Sequence, residues 1–241
     1  MELLILASVF YLAGFIQGIT GFGAGLLAMP LLAFYLDLRV AAPLCTLNGL
    51  IITAYLSLSL HLHMDRKKIL PLTVGCLPGV IVGVGMLKSV NKDLLTILLG
   101  LLVSSFAAYR LYFKVSSRHI HHRWGYLAGF LTGVISGAFS AGGPPTVIYT
   151  TLTGWSKDDI KATLSGFFLV TGLITATGHA LSGLTTPTVL RFFLITALAV
   201  LAGVFSGAHI SSRFTTEGYL KIILFCLLLL GLLMICAPFM S

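Results

Sequence analysis

The sequence predicts an all-α membrane protein that crosses the bilayer several times. Of its 241 residues, 57% are hydrophobic and only 9% are charged, and the mean hydropathy is +1.03. A water-soluble protein of this length needs a much more polar surface. Apolar runs of the ~20 residues that a transmembrane helix requires recur between short polar stretches. Almost no sequence is left over for a soluble domain, so the fold class follows from composition and spacing together.

The apolar runs predict the helices in order. The first begins at the N-terminus, where MELLILASVF lacks the basic residues of a cleaved secretory signal and is interpreted as a retained membrane segment. Six further runs each predict one transmembrane helix. They cover residues 40–60, 69–87, 94–113, 160–182, 189–208 and 219–239.

The stretch GITGFGAGLLAMP, at residues 18–30, interrupts the first membrane segment with four glycines and a proline. As one helix the whole segment would be about 50 Å long, against a hydrocarbon core of ~30 Å. A helix followed by a half-helix that turns back fits better, with the glycine backbone inside the protein, because lipid would leave its polar groups unsatisfied. A dinucleotide-binding loop is excluded, since that motif requires G-x-G-x-x-G after a soluble strand.

Three matches along the chain favour an internal duplication. AGFIQGITGFGAGLLAMP at residues 13–30 matches AGFLTGVISGAFSAGGPP at residues 128–145. TLNG at 46–49 then matches TLSG at 163–166, and LPGVIVG at 77–83 matches LAGVFSG at 201–207. The predicted organisation is a first repeat at 1–114, a cytoplasmic linker at 115–123 and a second repeat at 124–241. Each repeat consists of a glycine-broken opening segment and three transmembrane helices.

The distribution of the fifteen Lys and Arg residues predicts that the two repeats are inverted. If each opening segment crossed the bilayer, the two sides would carry seven and eight of them. If each segment turns back, one side carries only Arg39, Lys88, Lys92 and Arg191, and the other eleven satisfy the positive-inside rule. The expected location is the cell inner (plasma) membrane, with both termini outside the cytoplasm. The net charge of +8 then reflects orientation in the lipid bilayer, and no nucleic-acid partner is expected.

Inverted repeats with broken helices are typical of secondary transporters, in which half-helix N-termini bind anionic groups near the bilayer midplane. In SAGGPPT, Ser140 is expected to be an N-cap or a ligand hydroxyl, and the prolines suit the first turn of a half-helix. Glycine N–H groups and neutral side chains bind an anion without trapping it, although hydroxyls also serve helix packing. The substrate-binding candidates are Gln17, Thr20, Gly21, Gly23, Gly25, Asn48, Ser136, Ser140, Gly142, Gly143, Pro144, Pro145, Thr146 and Ser165.

The two motifs resemble a known family. GITGFGAGLLAMP followed by TLNG, repeated as GVISGAFSAGGPPTVIY followed by TLSG, is similar to the TauE/SafE family of membrane transporters, also called the sulfite exporter family. The resemblance covers essentially the whole chain. It implies transport of small sulfur-containing or organic anions, such as sulfite, sulfoacetate or related sulfonates, by a protein duplicated from a four-helix unit.

Coupling ions and cofactors are constrained by what the apolar segments lack. All acidic residues lie at predicted helix ends or in loops, so no carboxylate is placed to bind Na⁺ or to relay a proton within the membrane. If transport is coupled to protons, His179 is the best titratable candidate, and a purely structural histidine is the competing interpretation. No metal or cofactor is expected, because the four cysteines lack metal-ligand spacing.

Two other functions remain open. A channel also uses broken helices and backbone N–H groups. An intramembrane hydrolase built on Ser140 and His179 is disfavoured, because GAFSAGG lacks the G-x-S-x-G elbow and no acid is placed to orient the imidazole. The sequence therefore predicts a transporter and not an enzyme, working by alternating access. It leaves open which anion moves, in which direction, with which coupling ion, and whether the chain forms a homodimer.

Overall fold

A computed structural model describes residues 2–61, 66–113, 120–153, 155, 157–210 and 217–237, and every regular element in this part of the chain is a helix. Six of the described helices are long and apolar enough to cross a membrane, which confirms the all-α polytopic class. The first half contains α1 (Glu2–Thr20), α2 (Ala24–Ala33), α3 (Leu38–Ser59), α4 (Arg66–Ser89) and α5 (Lys92–Tyr112). The second half contains α6 (Trp124–Phe139), α7 (Gly143–Leu152), α8 (Lys157–Leu181), α9 (Pro187–Ile210) and α10 (Glu217–Cys236).

The six predicted transmembrane runs agree with α3, α4, α5, α8, α9 and α10 to within three residues at each end, although residues 238–239 lie outside the described chain. Capping side chains explain where α3 and α5 start. The Asp37 carboxylate accepts a hydrogen bond from the N–H of Arg39 at 2.8 Å, and the Asn91 side chain accepts one from Asp93 at 2.8 Å. Such side chains satisfy N–H groups that have no partner within the helix.

Each half opens with a broken helix. In the first break, between α1 and α2, Gly21 and Gly23 have φ angles of 83° and 101°. A side chain is strained in this left-handed region, and glycine is not. In the second break, between α6 and α7, the left-handed residue is Ser140 with φ 52°, the one non-glycine residue with positive φ in the described chain. The predicted pair of interrupted helices is therefore present at both glycine-rich stretches.

The glycines of the motif shared by α4 and α9 hold the broken helices in place. Gly79 and Gly83 on α4 lie against carbonyl groups of α6, and Gly203 and Gly207 on α9 lie against carbonyl groups of α1. A Cβ atom at any of these four positions would collide with the neighbouring backbone. This is the close approach that small residues spaced by four permit between membrane helices. LPGVIVG thus packs against α6, and LAGVFSG packs against α1.

Polar contacts define the two ends of the helix bundle. At one end, Lys68 near the start of α4 forms a salt bridge of 3.3 Å with Asp159 near the start of α8. At the other end, the Arg39 guanidinium at the start of α3 donates hydrogen bonds to the carbonyl oxygens of Leu87 and Lys88 in the last turn of α4, both at 3.2 Å. Helices α4 and α8 therefore run in one direction, and α3 runs in the other.

The segment formed by α1 and α2 begins and ends at the same end of this bundle. Gly14 lies against Val200 and Gly18 lies against Val204, so α1 is parallel to α9. Helix α9 starts at the end where α8 finishes, and α2 leads through residues 34–37 into the start of α3 at that same end. The chain therefore runs into the bundle along α1, breaks at Gly21 to Gly23, and returns along α2.

Candidate functional site

The two breaks meet at a cavity inside the bundle. Gly25, in the first turn of α2, packs directly against the carbonyl group of Ser140 in the second break. The adjoining cavity has a volume of about 90 Å³, and its walls come from α1, α2, α3, α6, α8 and the start of α7. This is enough space for several water molecules or one small anion.

The wall on the side of the first break is built around a buried amide. The Gln17 side-chain oxygen accepts a hydrogen bond of 3.2 Å from the N–H of Ala24, which ties the last turn of α1 to the first turn of α2. The next two N–H groups of α2, those of Gly25 and Leu26, have no acceptor within their own helix. All four residues line the cavity, so a helix N-terminus with its partial positive charge borders the space.

Thr20 and Gly21 are not among the residues that line the cavity. The Thr20 hydroxyl lies 2.6 Å from the carbonyl oxygen of Phe22 and holds the turn itself. Gly21 packs against the side chain of Lys161, whose ammonium group donates to the Gly18 carbonyl at 3.2 Å. A cation at the C-terminal end of α1 is favourable for the helix dipole. These two predicted residues therefore shape the break instead of facing the cavity.

In the second break, Ser140 ends α6 and does not begin α7. Its N–H donates to the Ser136 carbonyl at 2.8 Å, and Gly142 is the residue that precedes the first turn of α7. The prediction that Ser140 is an N-cap is therefore wrong, because its left-handed backbone completes the preceding helix. Its hydroxyl instead donates to the Ala42 carbonyl at 2.7 Å and lies 2.5 Å from the hydroxyl of Thr46. Ser140 lines the cavity, as does Thr46.

Pro144 and Pro145 lie in the first turn of α7, as predicted. They line a separate, almost entirely apolar groove of about 400 Å³ between α5, α6 and α7, and not the cavity between the breaks. Because proline has no N–H, this half-helix presents fewer backbone donors to the cavity than α2 does. Gly142 and Gly143 are its cavity-lining residues.

Asn48 and Ser136 both line the cavity. Asn48 is fully buried, and its amide nitrogen donates to the Leu44 carbonyl at 3.0 Å and to the Thr196 hydroxyl at 2.9 Å. The Ser136 hydroxyl is packed against the backbone of Gly142. Both side chains are held in place by neighbours on other elements.

Thr146 and Ser165 have structural partners away from the cavity lining. Thr146 is fully buried and lies 2.6 Å from the hydroxyl of Thr132, which joins α7 to α6. The Ser165 hydroxyl donates to the carbonyl of Lys161 within α8 at 2.8 Å. The competing interpretation of hydroxyls as helix-packing groups accounts for these two positions.

The imidazole of His179 is completely buried and outside the cavity lining. Its Nε2 lies 2.8 Å from the Gly137 carbonyl, and its Nδ1 lies 3.5 Å from the Thr46 hydroxyl. A carbonyl only accepts hydrogen bonds, so Nε2 carries the proton of the neutral ring and Nδ1 faces Thr46. Thr46 thus stands between His179 and Ser140, and the direct Ser140–His179 hydrogen bond that a hydrolase needs is not formed.

A large part of the predicted substrate-binding residues lines the cavity. The predicted residues that line it are Gln17, Gly23, Gly25, Asn48, Ser136, Ser140, Gly142 and Gly143. Sequence reasoning missed Thr46, Thr171 and Thr175, which also line it. A signal for the last two was present: Thr171, Thr175 and His179 are spaced by four and therefore share one face of α8. The Thr175 hydroxyl is buried without a hydrogen-bond partner in the described chain.

The cavity presents polar groups within a mostly apolar lining and carries no charge of its own. None of the described residues that line it is Lys, Arg, Asp or Glu. The described residues also contain no group of three His, Cys, Asp or Glu side chains that could hold a metal ion. Binding in this space therefore depends on hydroxyl, amide and backbone N–H groups.

Comparison with known proteins identifies the family. The sulfite exporter TauE/SafE family matches residues 6–234, which include both breaks. A protein of Cupriavidus necator named probable sulfite/organosulfonate exporter TauE is 26% identical over 167 residues. That alignment covers 66% of this chain and 65% of the relative, so the chain spans just under two thirds of the relative's length. No solved structure gives a significant match. The chain belongs to the TauE/SafE family of sulfite exporters.

Proposed function

We propose that the chain is a secondary transporter that exports sulfite, sulfoacetate or a related small sulfonate across the inner membrane by alternating access. The substrate site is the cavity between the two breaks. The observation that carries this proposal is an uncharged cavity with polar groups in its wall, where the starts of two half-helices meet and Gly25 packs against Ser140. Both the family and the name of the Cupriavidus necator relative agree with an anionic substrate.

An uncharged site suits a carrier, because the anion must be released as well as bound. Hydrogen bonds to a charged group contribute roughly 1.5–3 kcal/mol each. The donors available for such bonds are the N–H groups of Gly25 and Leu26 and the hydroxyls of Ser140 and Ser136, all of which line the cavity. A fixed lysine or arginine would hold the anion more tightly and slow its release.

The inverted duplication is part of this proposal, and the packing supports it. Helix α1 runs parallel to α9, and α6 runs parallel to α4, because Gly129 and Gly133 lie against successive turns of α4. Helices α5 and α10 are antiparallel, since Gly100 meets Ile235 and Gly231 meets Ser104. These are the relations expected if the repeats at 1–114 and 124–241 have opposite orientations. Rocking of one repeat against the other would then open the cavity to each side in turn.

The orientation in the membrane follows from charge. Lys68 and Lys161 lie at the end where α4 and α8 begin, whereas Arg39 and Lys88 lie at the opposite end. The proposed cytoplasmic end is the one that carries Lys68, because positive residues are retained on that side. A reporter fused to the C-terminus and active only in the cytoplasm is expected to stay inactive, and activity would overturn this topology.

The function is tested by flux into proteoliposomes with sulfite, sulfate, thiosulfate, sulfoacetate and taurine. The expected result is saturable transport of sulfite or a sulfonate that accelerates when the same anion is present on the far side. Gly49→Leu fills the cavity and should abolish this flux, because Gly49 lines it and no atom lies within 4 Å of a Cβ added there. Gly85→Leu is the matched control, since Gly85 also has open space but lies outside the cavity lining.

The outcomes separate the alternatives. Single-channel currents would identify a channel in place of a carrier. Absence of flux for every anion in the panel, with correctly folded protein, would overturn the proposal. Equal loss in Gly49→Leu and Gly85→Leu would show that the cavity is not the site.

A further inference from the structure

A chain of two hydroxyl groups connects the buried imidazole of His179 with the cavity. The His179 Nδ1 lies 3.5 Å from the Thr46 hydroxyl, and the Thr46 hydroxyl lies 2.5 Å from that of Ser140. Ser140 and Thr46 line the cavity, whereas His179 does not. The three groups come from α8, α3 and the second break, so the connection exists only in the folded chain.

With a neutral ring, the hydrogen atoms of this chain point away from the cavity. Nε2 donates to the Gly137 carbonyl, so Nδ1 has a lone pair that can accept the Thr46 hydrogen, for which the Ala42 carbonyl at 3.1 Å from the Thr46 oxygen competes. The Ser140 hydroxyl then donates to the Ala42 carbonyl or to Thr46, at 2.7 and 2.5 Å. Each hydroxyl has a single hydrogen to donate. The Ser140 hydrogen is therefore engaged within the protein and is not free for an anion in the cavity.

With a protonated ring, the direction reverses. Both ring nitrogens are now donors, so Nδ1 donates to the Thr46 oxygen. The Thr46 hydrogen is displaced towards Ser140 or the Ala42 carbonyl, which lies 3.1 Å from it. Ser140 then accepts from Thr46, and its own hydrogen, no longer needed for Thr46, is shared between the Ala42 carbonyl and an anion in the cavity. The only covalent change is a proton transfer, in which an O–H bond of a hydronium ion breaks, water is left behind, and an N–H bond forms at Nδ1.

We propose that His179 is the proton-binding site of this transporter and that Thr46 and Ser140 transmit its protonation state to the anion in the cavity. The inference rests on the proposed function, because it names the coupling ion of the same site. One proton then accompanies one anion. Coupling of this kind is reciprocal: the bound anion favours protonation of His179 to the same extent that protonation favours the anion.

The other titratable groups near this position on α3 and α4 have their own partners or environment. Arg39, one turn before Ala42 in α3, is bound to the last carbonyl groups of α4, where Lys88 also lies. Cys45 lines the cavity, and Cys76 of α4 contacts α8 two turns before the histidine. Neither arginine nor lysine changes charge between pH 5 and 8.

Helices α6 and α7 also pack against α8. Their titratable groups in the described chain are Tyr126 and Tyr149, which lie near the start of α4, because Gly125 packs against Pro71 and the Tyr149 hydroxyl. On α8 itself, Asp159 and Lys161 lie at that same distant end. Histidine is the side chain that ordinarily titrates between pH 5 and 8, so His179 is the group that can switch this network.

The experiment measures the affinity for methanesulfonate between pH 5 and 8. This anion stays fully ionised over the range, unlike sulfite, so any pH dependence belongs to the protein. The dissociation constant of the wild type is expected to rise with pH, approaching about tenfold per pH unit once the ring is neutral in the free protein. In proteoliposomes, a methanesulfonate gradient is expected to drive proton movement, read with a trapped pH-sensitive dye.

Two variants and one control test whether the protonation state of His179 reaches the anion through Thr46. Thr46→Val keeps the side-chain shape but removes the hydroxyl, and His179→Gln removes the titrating group. Both are expected to bind methanesulfonate with at most a twofold change across the pH range and to move no protons. Thr163→Val is the control. The Thr163 hydroxyl is buried on α8, the helix of His179, has no partner in the described chain and lies outside the cavity lining. This variant should keep the full pH dependence.

Each result decides one question. A wild-type affinity that does not change with pH would overturn the inference and leave the proposed transport intact. A full pH dependence in Thr46→Val would show that the hydroxyl chain is not the route. A wild type that binds and transports none of the anions, at any pH, would instead overturn the proposed function. Because Thr46→Val is nearly isosteric, it remains informative even if His179→Gln does not fold.

Discussion

The two breaks reach the same cavity by different local chemistry. The first has glycines at φ 83° and 101°, and it presents the N–H groups of α2, one of them bound by Gln17. The second has Ser140 at φ 52° and two prolines in the first turn of α7, so it presents a hydroxyl where the first presents backbone N–H groups. In the proposed transporter, the first break would bind the anion through its main chain, and the second would connect the anion to the rest of the protein.

The left-handed serine is informative because glycine would fit more easily. A non-glycine residue in this conformation costs roughly 1–2 kcal/mol. Ser140 is held there by its hydrogen bond to the Ala42 carbonyl and its contact with Thr46. Strain of this kind is concentrated at functional sites. The first break has no such side chain, and none is needed if its contribution comes from N–H groups.

The largest expected effect comes from forcing the two breaks apart. In Gly25→Ala, the added Cβ would collide with the carbonyl of Ser140, a backbone atom that no rotation can move away. We expect a loss of about 1–3 kcal/mol of stability, as for other overpacked positions, and loss of most of the flux. Thermal unfolding in detergent and proteoliposome flux measure both. Gly85→Ala, with open space around its Cβ, is the control, and an equal loss in the control would contradict the explanation.

The second largest effect is expected from a negative charge at the first break, which should weaken anion binding. Gln17→Glu keeps an oxygen that can accept from the N–H of Ala24 but adds a charge beside the site. Like charges 4 Å apart repel by about 4 kcal/mol at an effective dielectric constant of 20, so the dissociation constant for sulfite should rise at least about 100-fold at pH 8. Asn91→Asp makes the same change at the exposed start of α5 and should alter nothing. Unchanged affinity in Gln17→Glu would remove Gln17 from the site.

Replacing the left-handed residue of each break should have smaller effects. The replacement in the second break should lower flux, and the one in the first break should lower stability. Ser140→Gly relieves strain of ~1 kcal/mol and loses a hydrogen bond worth ~1 kcal/mol, so stability should barely change. Flux should still fall about tenfold, because the hydroxyl at the cavity is gone. Gly23→Ala has open space but keeps φ 101°, so it should lose roughly 1–2 kcal/mol of stability. Unfolding midpoints compare the two, and a marked destabilisation of Ser140→Gly would show that its hydroxyl is structural.

The smallest effect is expected from Pro144→Ala combined with Pro145→Ala. The proline rings face the apolar groove and not the cavity, so flux should stay within about threefold of the wild type. The unfolded chain gains freedom, which lowers stability by about 0.4–1 kcal/mol for each proline. Flux and unfolding are measured as before. A large loss of flux would mean that the second break depends on proline for its shape, unlike the first.

Much of the fold could be predicted because its signals are local. The length of apolar runs sets the transmembrane helices, and the glycine and proline spacing marks where α1 and α6 break. The repeated LPGVIVG and LAGVFSG motifs indicated only a duplication, and the structure adds that their glycines make close contacts with the two broken helices. The cavity residues Gln17, Asn48, Ser136 and Ser140 were also among the predicted positions, since polar side chains in apolar helices are few and visible.

The errors have a common physical cause. Ser140 was expected to be an N-cap of α7 or a ligand hydroxyl, but its backbone ends α6, where it packs against Gly25 and its hydroxyl donates to the Ala42 carbonyl. Thr146 and Ser165 could not be separated from the cavity residues, because a hydroxyl in a membrane helix looks the same whether it bonds to its own backbone, to a neighbour or to a ligand. Thr46 is the first residue of the TLNG motif, yet only its distances from His179 and Ser140 in the folded chain give it a role.

The sequence by itself determined that the chain is helical, lies in a membrane, breaks two of its helices at glycine-rich stretches and carries few charges in its apolar parts. Those properties depend on hydrophobic length and on backbone freedom, which act over a few residues. Only the tertiary structure decided that the breaks share one cavity and that a histidine reaches it through two hydroxyls. His179 and Thr46 are 133 residues apart in the chain, and no local pattern specifies a contact that depends on how α3 and α8 pack.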